Sequence, residues 1–297
     1  MSAGAGFLSP KGRLLPIVTV LAVIVVLWYA LAVVLNYTRV SEQLAGVNPN
    51  YTIGDLLKGT WSMERPVLPA PDQIAVDLWK STAELKVTSK RSLVYHTYIT
   101  ASATLVGFAF GALLGILLAA GIVHVRTLDR SLMPWIIASQ TVPILAIAPM
   151  IIVILASVGV TGLVPKAIIS MYLCFFPVTI GMVKGLRSPD PLQMDLMRTY
   201  NASQWQIFWK LRVPASIPFL FASLKVAIAI SLVGAIVGEL PTGAEGGLGS
   251  RMLAGSYYGQ MVQIWSCLVL AAILGMIMVY SIAGVEWVTL RRTGART

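Results

Sequence analysis

Apolar residues in this chain fall in long unbroken runs rather than in the narrow stripes of a soluble helix. Leu14 to Leu35 contains no charged residue, and at about 1.5 Å per residue such a run crosses a hydrocarbon core of about 30 Å. Similar runs cover Leu93 to Ala120, Leu132 to Ala156, Ala167 to Leu186, Ile217 to Val237 and Val262 to Trp287. The pattern predicts an all-α integral membrane protein with six transmembrane helices. A cleaved signal peptide would show an apolar core of about 7–15 residues before a small-residue cleavage site. The first run is longer and ends in aromatic and polar residues, so it predicts a retained span.

Inside the runs, glycine and proline set the expectations for packing. Gly107, Gly111 and Gly115 recur every fourth residue in the second run, which puts them on one helix face and lets a neighbouring helix approach closely where lipid supplies no hydrophobic drive. The third run carries Pro134, Pro143 and Pro149, with Gln140 and Thr141 just before the middle proline. Kinked spans of this kind pack inside the protein or line a path. The fourth run has one proline, Pro177, and Gly159 to Lys166 reads as a tight turn before it.

Two stretches break the apolar pattern. Residues 36–91 carry seven Lys/Arg and six Asp/Glu, with a Pro-rich PVLPAP at 66–71. From Pro71 onward, Ile74, Ala75, Leu78, Trp79 and Leu85 have helical spacing and predict an amphipathic helix at the membrane surface. The second stretch, Arg187 to Pro214, reads as a hairpin of two short helices. Asp190 caps the first, with Pro191 at its first position. That helix runs to about Tyr200, and Asn201 follows as a left-handed hinge, a role asparagine fills best after glycine. Ser203 and Gln206 form a capping box that opens the second helix, and Pro214 closes it. Trp205, Phe208, Trp209 and Leu211 make that helix too apolar for a free loop and suit a docking surface.

Composition narrows the class. Of 297 residues, 57% are hydrophobic and 11% charged, with a mean hydropathy of +0.80, whereas soluble domains carry about 25% charge. The net charge of +10 is explained by Lys and Arg held on cytoplasmic loops beside anionic membrane lipid, without a nucleic-acid partner. With residues 1–13 cytoplasmic, the segments 1–13, 121–130, 184–215 and 291–297 hold twelve Lys/Arg against three Asp/Glu. The opposite side holds nine Lys/Arg, seven of them in the charge-balanced segment 36–91, where the positive-inside rule has least force. The division is therefore 1–13 cytoplasmic, 14–35 first span, 36–91 periplasmic, 92–290 a five-helix core holding the hairpin 187–214, and 291–297 a cytoplasmic tail.

Catalytic and metal-binding patterns are missing. No G-x-x-x-x-G-K-[ST], G-x-S-x-G, H-E-x-x-H or paired-Cys motif occurs, so an enzyme is not indicated. Cys174 and Cys267 sit in apolar runs as small core residues, and His96 and His124 have no carboxylate or Cys partner in sequence. Lys225, Glu239 and Glu286 are the ionisable groups in or bordering the spans; a proton-coupled carrier would place more carboxylates or His mid-membrane. A secondary carrier or channel acting without an ATPase is therefore the weaker alternative. Candidates for a solute pathway are Gln140, Thr141 and Pro143 beside the kink, with Ser231 and Glu239 in the fifth span. Ordinary interhelical hydrogen bonds account for each equally well. Gly246, Gly247 and Gly249 suit a periplasmic turn or gate, and simple loop chemistry explains them as well.

The hairpin QMDLMRTYNASQWQIFWKLRVPASIP resembles the cytoplasmic coupling motif of ATP-binding-cassette importer permeases. In that motif Glu-Ala-Ala is followed four residues after its last Ala by Gly, and about nine residues later by Ile/Val-x-x-Pro or Leu-Pro. Asp195, Leu196 and Met197 stand at the Glu-Ala-Ala positions and Asn201 at the Gly position. Ala202 and Ser203 match the residues that follow, and Val213-Pro214 the closing pair. The first half departs from the pattern in residue type. The likeness continues over about residues 65–290: VPILAIAPMIIVILASVG (142–159), CFFPVTIGMVKGL (174–186) and VGELPTGAEGGLGSRM (237–252) resemble the nitrate/sulfonate/taurine subfamily. LVGAIVGELPTG with AGSYYGQ looks most like members that carry pyrimidine-type heterocycles or thiamin precursors.

The resemblance implies a type I importer permease in the inner membrane, paired with a second copy or a homologue. Its hairpin, through Asp195 to Ser203 (Arg198, Thr199 and Tyr200 included) and Trp205, would dock on a cytoplasmic ATPase dimer. That dimer would bind ATP and Mg, this chain holding no cofactor, and a periplasmic or lipid-anchored binding protein would deliver the solute.

Overall fold

In the computed structural model, residues 10–47, 50–241 and 246–293 are described, and nearly all are helical. In chain order the helices are α1 Pro10–Val47, α2 Ile53–Trp61, α3 Pro71–Trp79, α4 Leu93–His124, α5 Arg126–Ser139 and α6 Ile144–Ser157. There follow α7 Leu163–Leu186, α8 Pro191–Thr199, α9 Gln204–Ile207, α10 Val213–Glu239, α11 Leu248–Tyr257 and α12 Met261–Thr293. Wider π-helical turns at Lys80–Glu84 and Phe208–Arg212 extend α3 and join α9 to α10. Among the described residues, five continuous helical paths are long and apolar enough to cross a membrane, and the bent pair α5–α6 makes a sixth if taken as one span.

The core is a three-helix sandwich with α7 at its centre, α4 on one side and α10 on the other. The glycine series of α4 does what its spacing predicts. A Cβ at Gly111 would meet the Met171 carbonyl at 2.9 Å, and one at Gly115 the Phe175 carbonyl at 2.8 Å, so only a bare backbone lets α4 and α7 come this close. On the far side of α7, Gly234 of α10 lies equally tight against the Ser170 backbone. Ser231 bridges all three helices: its hydroxyl donates to the Thr104 carbonyl at 2.9 Å and lies 2.7 Å from the Ser170 hydroxyl. Cys174 and Cys267 are buried free thiols, as expected of core residues.

Several boundaries differ from the sequence expectation, each for a physical reason. The first helix does not stop at Leu35 but continues to Val47, because residues 36–45 offer neither proline nor glycine to end it. At 38 residues it is roughly 57 Å long, well beyond a hydrocarbon core of about 30 Å. Its buried Asn36 side chain organises the following segment, donating to the carbonyls of Thr60 (3.2 Å) and Leu68 (2.9 Å) and accepting from the Val67 amide (2.7 Å). Segment 36–91 therefore contains the end of α1, then α2, and then a helix from Pro71, α3.

The third span is a break rather than a kink: α5 and α6 meet at 97°. Gln140 and Thr141 close α5 with tight bonds to the carbonyls three residues back. Pro143, with no amide hydrogen, then stands at the N-cap of α6. The basic connection expected at 121–130 is mostly helix, since Val125 alone separates α4 from α5. The turn after Gly159 ends at Gly162, with Pro165 tolerated in the first turn of α7. Pro214 does not close the hairpin, because α9, the π-helical turn and α10 form one path from Gln204 to Glu239. In the wide turn the Val213 amide reaches back to the Phe208 carbonyl, and the added width makes room for a proline ring that an α-turn would reject.

Candidate functional site

The hairpin forms from local instructions. Asp190 accepts the Leu192 amide at 2.8 Å and caps α8, with Pro191 at its first position. At the other end, the Asn201 amide donates to the Arg198 carbonyl (2.9 Å) and the Ala202 amide to the Met197 carbonyl (3.0 Å). These two bonds make a Schellman closure with asparagine at its left-handed position. Asn201 has φ +50°, a positive value that no other non-glycine residue shows among those described. Ser203 and Gln206 then satisfy each other's backbone amides, at 3.3 and 2.9 Å, and α9 begins.

Packing divides the side chains of the hairpin into an anchored set and a free set. Ile207 and Phe208 (8% exposed) are buried in the core, and the Phe208 ring stands edge-on to His124 with centroids 4.5 Å apart. An ion pair of 2.9 Å between Arg187 and Asp129 ties the base of the hairpin to the first turns of α5. Trp205, by contrast, is 67% exposed, and Leu192, Leu196 and Tyr200 also face outward. Asp195 and Arg198 pair at 3.2 Å while 67% and 72% exposed. Met197 and Ala202 are half-buried at the closure, and Thr199 and Ser203 lie on the exposed rim. The result is a fixed two-helix lever presenting an apolar tip with one acid and one base.

The pathway candidates separate into two groups. Gln140, Thr141 and Pro143 lie together at the α5–α6 break, Gln140 half-buried and the other two exposed. The Tyr172 hydroxyl pins the break to α7 by donating to the Ser139 carbonyl. Ser231 and Glu239 are not there. Ser231 belongs to the three-helix seam already described, and Glu239 is fully buried at the C-terminal end of α10. The Glu239 carboxylate accepts the Thr100 hydroxyl at 2.7 Å and the Gly249 amide at 2.8 Å. Both residues thus make the interhelical contacts that the sequence left open as their other reading.

Around Glu239 the structure assembles a buried network that sequence reasoning missed. The Leu248 amide donates to Thr100 (2.9 Å), and the Gly247 amide donates to His96 Nδ1 (2.9 Å). The second ring nitrogen of His96 lies 3.0 Å from the Lys90 carbonyl, so the ring is held as the neutral tautomer protonated on Nε2. Lys166, only 1% exposed, donates to the Gly246 carbonyl at 3.2 Å. Gly246 (φ +83°) and Gly247 (φ +120°) give the strand of chain that crosses the carboxylate a path open only to glycine. Gly249 lies in the first turn of α11, and residues 242–245 of the expected turn lie outside the described residues.

A family model described as "Binding-protein-dependent transport system inner membrane component" matches residues 111–286. A probable ABC transporter permease protein of Haemophilus influenzae is 28% identical over 216 residues, covering 73% of this chain and 83% of the relative. The formylaminopyrimidine transport permease protein ThiX of Halalkalibacterium halodurans is 31% identical over 183 residues, 62% of this chain and 68% of its own. Among solved structures, the MetNI methionine ABC transporter in an inward-facing conformation matches with a TM-score of 0.55 and 19% identity, over 66% of this chain and 95% of that one.

Proposed function

The chain belongs to the family of binding-protein-dependent inner-membrane transport components, and from that premise we propose where it takes up energy, which way it faces and what it carries. As a class it is the permease subunit of an ATP-binding-cassette importer, a transport component and not an enzyme. The hairpin, Asp195 to Ser203 with Trp205, is the dock for a cytoplasmic ATPase dimer. The observation that carries this is the division of its side chains, with Phe208 locked in the core while Leu192, Leu196, Tyr200 and Trp205 are offered to a groove on a partner.

ATP and Mg are bound by the ATPase. Closure of its dimer moves two hairpins together, one from this chain and one from a second copy or a homologue. The spans then turn from inward- to outward-facing. Residues 36–91 face outward, where a periplasmic or lipid-anchored binding protein delivers the solute. The α5–α6 break lies midway along its span, and Gln140 and Thr141 there supply uncharged hydrogen-bonding groups to the path.

The test is reconstitution with the ATPase and binding protein in liposomes, reading solute-stimulated ATP hydrolysis and uptake on one preparation. Asp195→Arg should abolish coupling or ATPase association, because reversing one charge in a buried contact commonly costs at least about 2–5 kcal/mol. Wild-type coupling in that variant would overturn the dock, and uptake with no ATPase present would make the chain a carrier. For the solute, a pyrimidine-type heterocycle or thiamin precursor is the first choice, supported by the ThiX name and by the 232–243 and 254–260 segments. Nitrate, sulfonate and taurine come next. Saturable uptake of a formylaminopyrimidine, unaffected by excess taurine or nitrate, is the expected result.

A further inference from the structure

The buried network takes up Glu239 but leaves Lys225 and Glu286, two charges set inside the spans, without a role. Their depth follows from the packing of α7 against α10. Gly185 lies on Ser216 and Gly181 on Ser223, so the two helices run antiparallel and Lys225, just beyond Ser223, stands level with Thr179. That level is about 10 Å inside the end of α7 at Leu186, at about 1.5 Å per residue. There the Lys225 ammonium donates to a Glu286 carboxylate oxygen at 2.7 Å and joins α10 to α12. Hydrocarbon solvates neither charge, so ionisable groups at such depth are rare, are paired where they occur, and mark function.

What the pair joins gives that function. α10 is continuous with the hairpin, in one helical path from Gln204 to Glu239, so a motion of the hairpin is a motion of α10. α12 has no such continuity. Cys267, Ala271 and Met278 anchor it in the core, but from Val279 to Arg291 no side chain of it is buried. Close apolar packing that would drag this end of α12 along with α10 therefore stops at Met278, and the ion pair stands in its place. At its N-terminal end α12 is bound to α11, where the Gln263 side chain donates to the Arg251 carbonyl at 2.8 Å.

We propose that Lys225 and Glu286 are coupling residues of the transport cycle: their ion pair makes the C-terminal end of α12 follow α10 when the ATPase drives the hairpin. α12 then carries α11 with it at the opposite end of the span. The pair binds neither solute nor nucleotide. The inference rests on the importer reading, since it is the ATPase that moves the hairpin.

The test uses the complete transporter, with ATPase and binding protein, in liposomes and reads uptake per ATP hydrolysed. Lys225→Gln with Glu286→Gln removes both charges and strands neither in hydrocarbon. Uptake per ATP should fall at least about fivefold, the low end of coupling between distant sites. ATPase association and the thermal unfolding midpoint should stay at wild-type values. The exchange Lys225→Glu with Glu286→Lys restores the attraction with its sense reversed and should recover most of the loss. Spin labels on Ala222 and Val285, both exposed, report the motion itself when labelled chain is diluted with unlabelled chain. Their separation should be equal in nucleotide-free and vanadate-trapped wild type, and should differ between the two states once both charges are gone. Wild-type coupling in the uncharged variant, or an exchange variant no better than it, overturns the proposal and leaves the importer reading intact. A loss of uptake matched by a lowered midpoint or a lost complex also overturns it, by making the pair structural only. Uptake by the unaltered chain without any ATPase would instead sink the importer reading.

Discussion

The two ends of this molecule each display a carboxylate, and they hold it in opposite ways. Asp195 at the hairpin is 67% exposed and pairs only with Arg198, three residues along its own helix. Glu239 at the other end has no exposed surface, and it joins α4, α10 and the start of α11 through Thr100 and Gly249. An exposed ion pair is worth about 0–1 kcal/mol. A buried carboxylate that loses or keeps its donors matters several times more. The contrast teaches that the carboxylate left exposed, Asp195, is one the fold does not need for its packing. At the other end, polar groups are spent on holding helices together.

The largest effect that would break this comparison is at the buried end. Glu239→Ala takes the acceptor from two buried donors and a negative charge from the neighbourhood of Lys166, and should cost about 3–5 kcal/mol. The expected readout is a markedly lower thermal unfolding midpoint in detergent, and a midpoint equal to wild type would show that the network is not structural. Next comes the hinge. Asn201→Val forces a β-branched residue to the φ of +50° at a cost of about 1–2 kcal/mol. Coupling should fall while the core stays folded, and Asn201→Gly should behave as wild type in both assays.

Smaller still is Asp195→Ala, expected to leave the unfolding midpoint within the equivalent of about 0.5 kcal/mol while weakening ATPase association. A large loss of stability in this variant would erase the distinction between the two ends. The smallest effect sharpens it with a third carboxylate, exposed but locally bonded. Asp55 accepts the Thr52 hydroxyl at 2.7 Å and the Thr52 amide at 3.0 Å, and these bonds hold its carboxyl below the usual carboxylate range. A lowered folded value means that the contribution to stability is present above the unfolded value and lost as pH falls through the lowered one. Amide protection in the first turn of α2 should therefore drop below that range in wild type, relative to Asp55→Asn, with no matching change in the core spans.

The hairpin is almost fully legible in the sequence. Each of its signals acts over at most five residues: Asp190 on Leu192, Asn201 and Ala202 on the carbonyls before them, Ser203 on Gln206. Pro214 misleads because a proline predicts a stop only when the preceding turn is α-helical, and the π-helical turn at Phe208–Arg212 removes that condition. Ser231 and Glu239 stay open in the sequence for a different reason. A polar group in a span signals that it has a partner without saying whether the partner is a solute or another helix.

The sequence by itself determined the span pattern, the close-packing face of α4, the caps and hinge of the hairpin, and the family. Each depends on composition or on spacings within a few turns of helix, where geometry is fixed by the chain itself. Tertiary structure alone decided which helices those faces meet. The Glu239–Thr100 bond joins residues 139 positions apart and the Gly247–His96 bond residues 151 apart, and nothing local distinguishes one apolar span from another as the recipient. It also decided the 97° break at Pro143, since whether a proline bends or severs a helix depends on what packs around it. The exposure of Trp205 beside the burial of Phe208 was settled in the same way, because two aromatic residues three apart carry the same label in sequence and differ only in what stands opposite them.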